Sequence, residues 1–276
     1  MSATPSGQSS TTASPKQNTH PNCAIPKVTI CVLTYGEYVQ LARKSIESIR
    51  RHCPRPEYRL VVGANVVCAE TLDYLQRLAQ KGDIDQLIIS DVNLNKNPMM
   101  RRMFEQIDTE FIWWFDDDSY IFKDGTFSAW LEIAEKSPSS TVMWGRMGWC
   151  GSPAAFTDIE DPIDWVRQAS WYRGLSPPSW RIGGKGEVNF RGLGTGDGRW
   201  IFLLGGCLLI RTSAVRALDW PDRRLVKLGE DVYLGEAIRQ HGWECQDNSS
   251  PGVAINTEAR RGDPGCLVEG LTALYR

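Results

Sequence analysis

The chain has 276 residues, enough for one large domain or two small ones. Its 31 Lys and Arg against 33 Asp and Glu give a formal charge of −2, so no dominant basic face marks it as a polyanion binder. A hydrophobic share of 42% supplies a sizeable core and excludes a disordered chain, while 11 tryptophans stand out because indoles often serve as flat ligand platforms.

Residues 1–26 are rich in Ser, Thr, Pro and Gln with almost no large apolar side chains. Such a stretch cannot bury enough surface to offset its ordering entropy, which predicts a mobile tail. It has no charged region followed by an apolar one, so no secretory leader is expected. Lys27–Leu33 is a continuous apolar run of the kind a buried strand shows. Tyr38–Cys53 places Leu41, Ala42, Ile46, Ile49 and Cys53 on one helical face. Tyr58–Val62 reads as a second strand, Thr71–Gln80 as a helix stopped by Gly82, and Gln86–Ser90 as a third strand. Asn97-Pro98 reads as an N-cap followed by proline at the first helical position, opening a helix through Ile107. Phe111–Phe115 is a fourth strand. This alternation predicts an α/β fold with parallel strands and right-handed crossovers. Ligands of such sheets sit beyond the carboxyl ends of the strands, so the residues after Leu33, Val62, Ser90 and Phe115 are the ones to read for chemistry.

After Pro138 the pattern loosens. Val142–Trp144 and Trp200–Arg211 still read as strands, with a short helix expected near Ile163–Trp171 and a last helix over Glu230–His241 before Gly242. The longest apolar run, Trp200–Ile210, is about half of the roughly 20 residues a membrane span needs. The Gly-rich stretch over 171–200 has no GKS/T pattern and reads either as a flexible loop that orders over a bound ligand, its basic residues suited to an anionic one, or as a simple disordered insertion. From Gln246 onward the chain is loop-like and unassigned. Eight scattered cysteines show no CxxC pair or ligand spacing, which predicts buried free thiols and a reducing, cytoplasmic compartment.

Two acidic groups carry the chemistry. Asp116-Asp117-Asp118 follows the most apolar strand, where like charges repel unless a cation neutralises them. Hard carboxylate oxygens suit Mg²⁺ or Mn²⁺, typically bridged to a diphosphate. Alone, the triplet reads equally as a solvated acidic turn. Gly229-Glu230-Asp231 opens the last helix, whose N-terminal field would depress the Asp231 pKa and keep it ionised as a general base. Simple helix capping explains the same residues.

In this order the two groups resemble the GT-A nucleotide-sugar-dependent glycosyltransferases of the family 2 type. The resemblance spans roughly Lys27 to Trp243 and also rests on VTICVLTYGEYVQLARKSIESI, FIWWFDDD, GGCLLIRTSAV and LGEDVYLGEAIRQHGW. It implies a GT-A (Rossmann-like) fold with a mostly parallel central sheet and helices on both faces, over 27–245. Within it, 27–118 would bind the nucleotide sugar and 119–245 the acceptor. It further implies that Thr34, Tyr35 and Glu37 line the nucleoside pocket, that Asp116 and Asp117 meet the donor, and that Asp118, with Asp116, holds Mn²⁺ or Mg²⁺. Asp231 would deprotonate the acceptor hydroxyl with Glu230 orienting donor or acceptor, giving inversion. Gly205 and Gly206 would edge the acceptor site.

The chain departs from the family in three places. Asn65 stands near the usual base-recognising Asp, Met99-Met100-Arg101-Arg102 replaces Ala-Arg-Asn, and no histidine is placed to ligate the metal. Asn65 is then the expected base contact and Arg101 the expected diphosphate contact. His241 reads as a helix C-terminal residue, leaving Asn256 or Glu258 as substitutes on the metal. The donor expected is a nucleoside-diphosphate sugar, a UDP-sugar foremost, and the acceptor a glycan or other hydroxyl compound. A nucleotidyltransferase and a catalytically silent sugar-binding module remain as alternatives. No tryptophan precedes Trp113, and Trp144, Trp149, Trp165, Trp171, Trp180 and Trp200 fall in the span from the DDD strand to the Gly-Gly strand. That distribution predicts an acceptor cleft lined by indole rings, Trp180 and Trp200 among them.

Overall fold

A computed structural model of the protein describes residues 26–150, 157, 159–175, 200–227, 229–248 and 252–255. Seven strands form one sheet in the order β3-β2-β1-β4-β7-β6-β8. Its first half is built from β1 (Val28–Gly36), α1 (Val39–His52), β2 (Tyr58–Val67), α2 (Ala69–Gln80), β3 (Gln86–Ser90), α3 (Lys96–Phe104) and β4 (Phe111–Asp116). These four strands are parallel, as their unbroken apolar runs predict.

The second half adds β5 (Tyr120–Ile121), α4 (Thr126–Lys136), β6 (Thr141–Cys150), α5 (Pro162–Arg167), β7 (Trp200–Arg211), α6 (Thr212–Leu218), α7 (Glu230–Gln240), β8 (Glu244–Asp247) and β9 (Val253–Ala254). β7 is antiparallel to both β4 and β6, and β8 runs parallel to β6. The sheet is therefore mostly parallel, with β7 reversed in its middle. β5 and β9 pair in a small separate ribbon. The main sheet continues to Asp247, past the boundary expected at residue 245.

Alternate residues of each strand feed two cores. Trp114 and Ile112 face α3, α6 and α7 together with Cys31, Leu33, Met103 and Leu234. Phe111, Trp113 and Phe115 face the other side with Ile46, Leu75, Phe127 and Trp130. Fully burying each such side chain contributes roughly 1.5–3 kcal/mol. α3 sits close to β2 because Gly63 leaves room for it: a Cβ there would lie 2.6 Å from Met103 Sδ. Among the described cysteines Cys31, Cys53, Cys68, Cys150, Cys207 and Cys245 are free. Burial pushes the thiols of Cys31, Cys53, Cys207 and Cys245 up, so they pack as small hydrophobic groups.

Two expectations are corrected here. Asn97 is not the N-cap of α3. Asn95 precedes the helix, and buried Asn97 lies in its first turn, with its side-chain amide 3.4 Å from the Lys227 carbonyl. Of the rings expected to line a cleft, those described in full do not form one; Trp180 and the Trp149 side chain lie outside the described residues. Trp144, Trp171 and Trp200 are at most 2% exposed, packed in the cores that cover both sheet faces. Trp165 is half-buried, packed 4.4 Å from Tyr233, with the Arg224 guanidinium 3.8 Å from its ring centre. Trp180 lies outside the described residues, and with it most of the Gly-rich stretch.

Candidate active site

The chain leaves β1 toward β2 and β3 on one side and returns beside it on the other as β4. The carboxyl ends of β1 and β4 therefore flank a topological switch point, where open α/β sheets bind ligands. Leu33 lies in register with Asp116, so Tyr35 and the triplet face each other across this gap. The Tyr35 N–H donates to Asp117 Oδ2 at 3.3 Å, and Asp117 is 2% exposed. Asp117 thus turns inward to hold the end of β1. Asp116 and half-buried Asp118 stand on either side of it.

Lys96, at the start of α3, was missed by sequence reasoning. Its ammonium lies 2.8 Å from Asp116 Oδ2 and 2.6 Å from Glu230 Oε1. The Trp114 indole N–H donates to the other Asp116 oxygen at 3.0 Å. Burial lowers the Lys96 pKa, but attraction to Asp116 and Glu230 outweighs it and the net shift is upward. One ammonium therefore ties the β4 edge to the opening of α7. The only local signal is a basic residue two positions before Pro98 and five before Arg101.

At α7, Gly229 takes a left-handed φ of 92°, which admits the turn into Glu230-Asp231. Asp231 Oδ2 accepts the Gly205 N–H at 3.0 Å, and Oδ1 accepts the Val232 N–H at 2.8 Å. Gly205 is close-packed here. A Cβ at that position would lie 2.6 Å from Glu230 Oε1 and 3.3 Å from Asp231 Oδ2. The expectation of a depressed Asp231 pKa is overturned: burial, then repulsion from Glu230, push it up to about 7. Lys96 and the two backbone N–H groups offset only part of this. The helix field alone is weaker than these terms.

Several expected contacts fall elsewhere. Thr34 is 1% exposed and its hydroxyl donates to the Gly63 carbonyl at 2.9 Å, so it joins β1 to β2 rather than lining a pocket. Buried Asn65 spends its amide on the loop after β3, donating to Asn93 Oδ1 at 3.1 Å and accepting the Leu94 N–H at 3.0 Å. Arg101 donates to the carbonyls of Asp219 (2.8 Å) and Pro221 (2.6 Å) and pairs with the Asp219 carboxylate, away from the triplet. Trp200 packs edge-on to Tyr233 inside the core and presents no acceptor platform. Tyr35 is half-buried and Glu37 exposed at the crevice, and Gly205 and Gly206 are buried in β7. His241 closes α7 as expected, its Nδ1 3.0 Å from the Ala237 carbonyl. Asn256 and Glu258 lie outside the described residues.

Among the described residues no three His, Cys, Asp or Glu side chains are grouped as a complete metal cage. Asp116 and Asp118 are nonetheless a fitting donor set for Mg²⁺ or Mn²⁺. Such ions commonly take one or two carboxylates and complete their shell with substrate phosphates and water.

The fold is shared with glycosyltransferases of known structure. The mannosyltransferase PcManGT from Pyrobaculum calidifontis, in complex with GDP-Man and Mn²⁺, matches with a TM-score of 0.53 and 14% identity. That match covers 81% of this chain and 55% of the mannosyltransferase. S. aureus TarS 1–349 matches with a TM-score of 0.52 and 15% identity, over 82% of this chain and 59% of that TarS fragment. Its complex with UDP-GlcNAc matches with a TM-score of 0.50 and 16% identity, over 84% and 59%. The chain thus spans between half and three fifths of these proteins. A search of curated protein sequences finds no match. The sheet order is that of the GT-A fold, and the family model for glycosyl transferase family 2 matches residues 29–215. The chain belongs to glycosyl transferase family 2.

Proposed function

We propose that the protein transfers a sugar from a nucleoside-diphosphate sugar to an acceptor hydroxyl, with inversion, using Asp231 as the base. The observation that carries this reading is the Lys96 bridge. It brings Asp116, at the donor end of β4, and Glu230, beside Asp231, to opposite sides of one ammonium. Two acidic groups more than a hundred residues apart in sequence thereby face a single crevice at the sheet's carboxyl edge.

Asp116 and Asp118 would hold Mn²⁺ or Mg²⁺, which supplies positive charge to the departing nucleoside diphosphate. Tyr35 and Glu37 border the end of β1, where the nucleoside would lie. Asp231, fixed by the Gly205 and Val232 N–H groups, takes the proton from the acceptor hydroxyl at Oδ2 or Oδ1. A pKa of about 7 matches a base that must be ionised yet avid at neutral pH. Glu230, pinned by Lys96, orients the sugar beside it. Attack from the side opposite the diphosphate inverts the anomeric carbon. The relatives solved with GDP-Man and with UDP-GlcNAc make UDP- and GDP-sugars the donors to test first. The free thiols agree with a reducing compartment.

The test is a thermal-shift screen of UDP- and GDP-sugars with Mn²⁺, followed by release of nucleoside diphosphate. Asp231→Asn should keep donor binding and lose turnover by a hundredfold or more. Asp118→Ala should lose Mn²⁺-dependent donor binding. Unchanged turnover in the first variant removes Asp231 as the base, and equal metal-independent binding in the second refutes the metal assignment.

A further inference from the structure

We infer that Arg101 is a positioning residue for the base helix: through it, α3 braces the connection from α6 to α7 and sets where Asp231 stands relative to Asp116. This rests on the reading of Asp231 as the base.

Three side chains of α3 meet that connection in order along its length. Arg101 holds the turn at its start through the Asp219 and Pro221 carbonyls and the Asp219 carboxylate. Asn97 meets it near its end, its N–H and side-chain amide each 3.4 Å from the carbonyls of Val226 and Lys227. Lys96 reaches Glu230 at the first residue of α7. Residues 219–227 form no helix or strand of their own, so side chains from outside fix their path. Asp219 ends α6 in a left-handed conformation, φ 50°, which turns the chain toward Arg101. The planar guanidinium, with several N–H groups in one fork, suits three acceptors in a single turn.

The opposite side of the connection is fixed as well. Asp222 accepts from the Trp171 indole at 2.9 Å and from Arg224 Nη2 at 2.9 Å. Arg224 in turn lies over Trp165, which packs against Tyr233 on α7, two residues past Asp231. α3 is also referenced to the donor side, because Lys96 pairs with Asp116. The helix thus acts as a strut with one end on the donor carboxylate and the other, at Arg101, on the turn that leads to the base.

The test compares Arg101→Met and Arg101→Lys with the full-length wild type. Four quantities are read: Tm, UDP and GDP affinity with Mn²⁺, nucleoside-diphosphate release from UDP-GlcNAc or GDP-mannose, and amide hydrogen exchange over residues 226–233. The brace predicts nucleotide affinity within about twofold of wild type and a ten- to hundredfold fall in kcat, the scale of a misplaced catalytic group. Exchange across the start of α7 should quicken about tenfold. Arg101→Lys keeps the charge but not the fork, so it should shift kcat and exchange in the same direction by less. A tenfold loss of nucleotide affinity with unchanged kcat would overturn the inference in favour of a diphosphate contact. A lower Tm with wild-type kcat and exchange would overturn it in favour of a purely structural role. Should the wild type release nucleotide from no sugar donor, the proposed function fails, and the exchange measurement alone decides the brace.

Discussion

Glu230→Gln separates the two causes that raise the Asp231 pKa. Burial is the larger and Glu230 the next, while Lys96 and two backbone N–H groups act in the opposite direction. The Glu230–Asp231 repulsion can be sized from the packing around Gly205. A single point there lies 2.6 Å from Glu230 Oε1 and 3.3 Å from Asp231 Oδ2, so the two oxygens are at most about 6 Å apart. At an effective dielectric constant of about 20, two like charges at that separation repel by roughly 2–3 kcal/mol, or about two pH units. Lys96, 2.6 Å from Glu230, already cancels part of this. The net shift expected on removing the Glu230 charge is therefore about one unit downward. The acid limb of the pH profile of kcat/KM should move from near pH 7 toward pH 6, with saturating Mn²⁺ at every point. Carbon-13 NMR of the Asp231 carboxyl reads the same shift without turnover. A limb that stays in place would show that burial alone sets the pKa. A limb that moves upward would show that Glu230 stabilises the ionised base, and the electrostatic account would be wrong.

Two further predictions follow from the same residues. Gly205→Ala drives a methyl to within 2.6 Å of Glu230 Oε1, and Lys96 limits that side chain's escape. It should cost about 1–3 kcal/mol in urea unfolding and at least tenfold in turnover, and a variant with wild-type values on both would refute the close packing. Asp231→Asn should stabilise the fold, increasingly so as pH rises. The folded pKa is raised from 3.8 to about 7, so stability present below pH 3.8 is progressively lost as pH climbs through 7. The variant escapes that loss, so its Tm should exceed wild type at pH 8 and exceed it by less at pH 5. An equal gap at both values would remove the raised pKa.

The first half of the sheet was legible because buried parallel strands read as unbroken apolar runs and their helices as apolar stripes; β3 falls on Gln86–Ser90, as read. β1 and β2 run three and five residues past their apolar runs, because polar Thr34 and Asn65 still lie in the ladder. α4 carries a readable stripe in Phe127, Trp130 and Ala134, but it starts behind Gly125 in a left-handed conformation rather than behind a Ser, Thr, Asp or Asn cap. Without a start signal the sequence alone does not predict this helix. The tryptophans misled for a related reason. Alternation sends Trp113 and Trp114 to opposite faces of β4, and both are buried because helices cover both faces of the sheet. A position between two motifs in sequence says nothing about which side of a covered sheet a ring will meet.

The site itself was half legible, and the missing half is electrostatic. Charge at a helix N-terminus is a local property, so Gly229-Glu230-Asp231 can be read as an acidic opening turn from sequence alone. Whether Asp231 is ionised depends on groups the sequence does not place: the β7 glycine that seats it, and the lysine 135 positions earlier that partners its neighbour. Lys96 could not be recognised because both of its partners come from other elements, one 20 residues after it and the other 134. Arg101 stands where the family places the arginine of Ala-Arg-Asn, so the resemblance points to it and not to Lys96. The helix pitch decides between them: five residues on, Arg101 is one turn and more farther from Asp116, beside Asp219 instead. Lys96 is shared between Asp116 and Glu230, so on the proposed reading a metal ion that drew Asp116 away would leave the ammonium more fully to Glu230. That would lower the repulsion Asp231 feels and favour its ionised form.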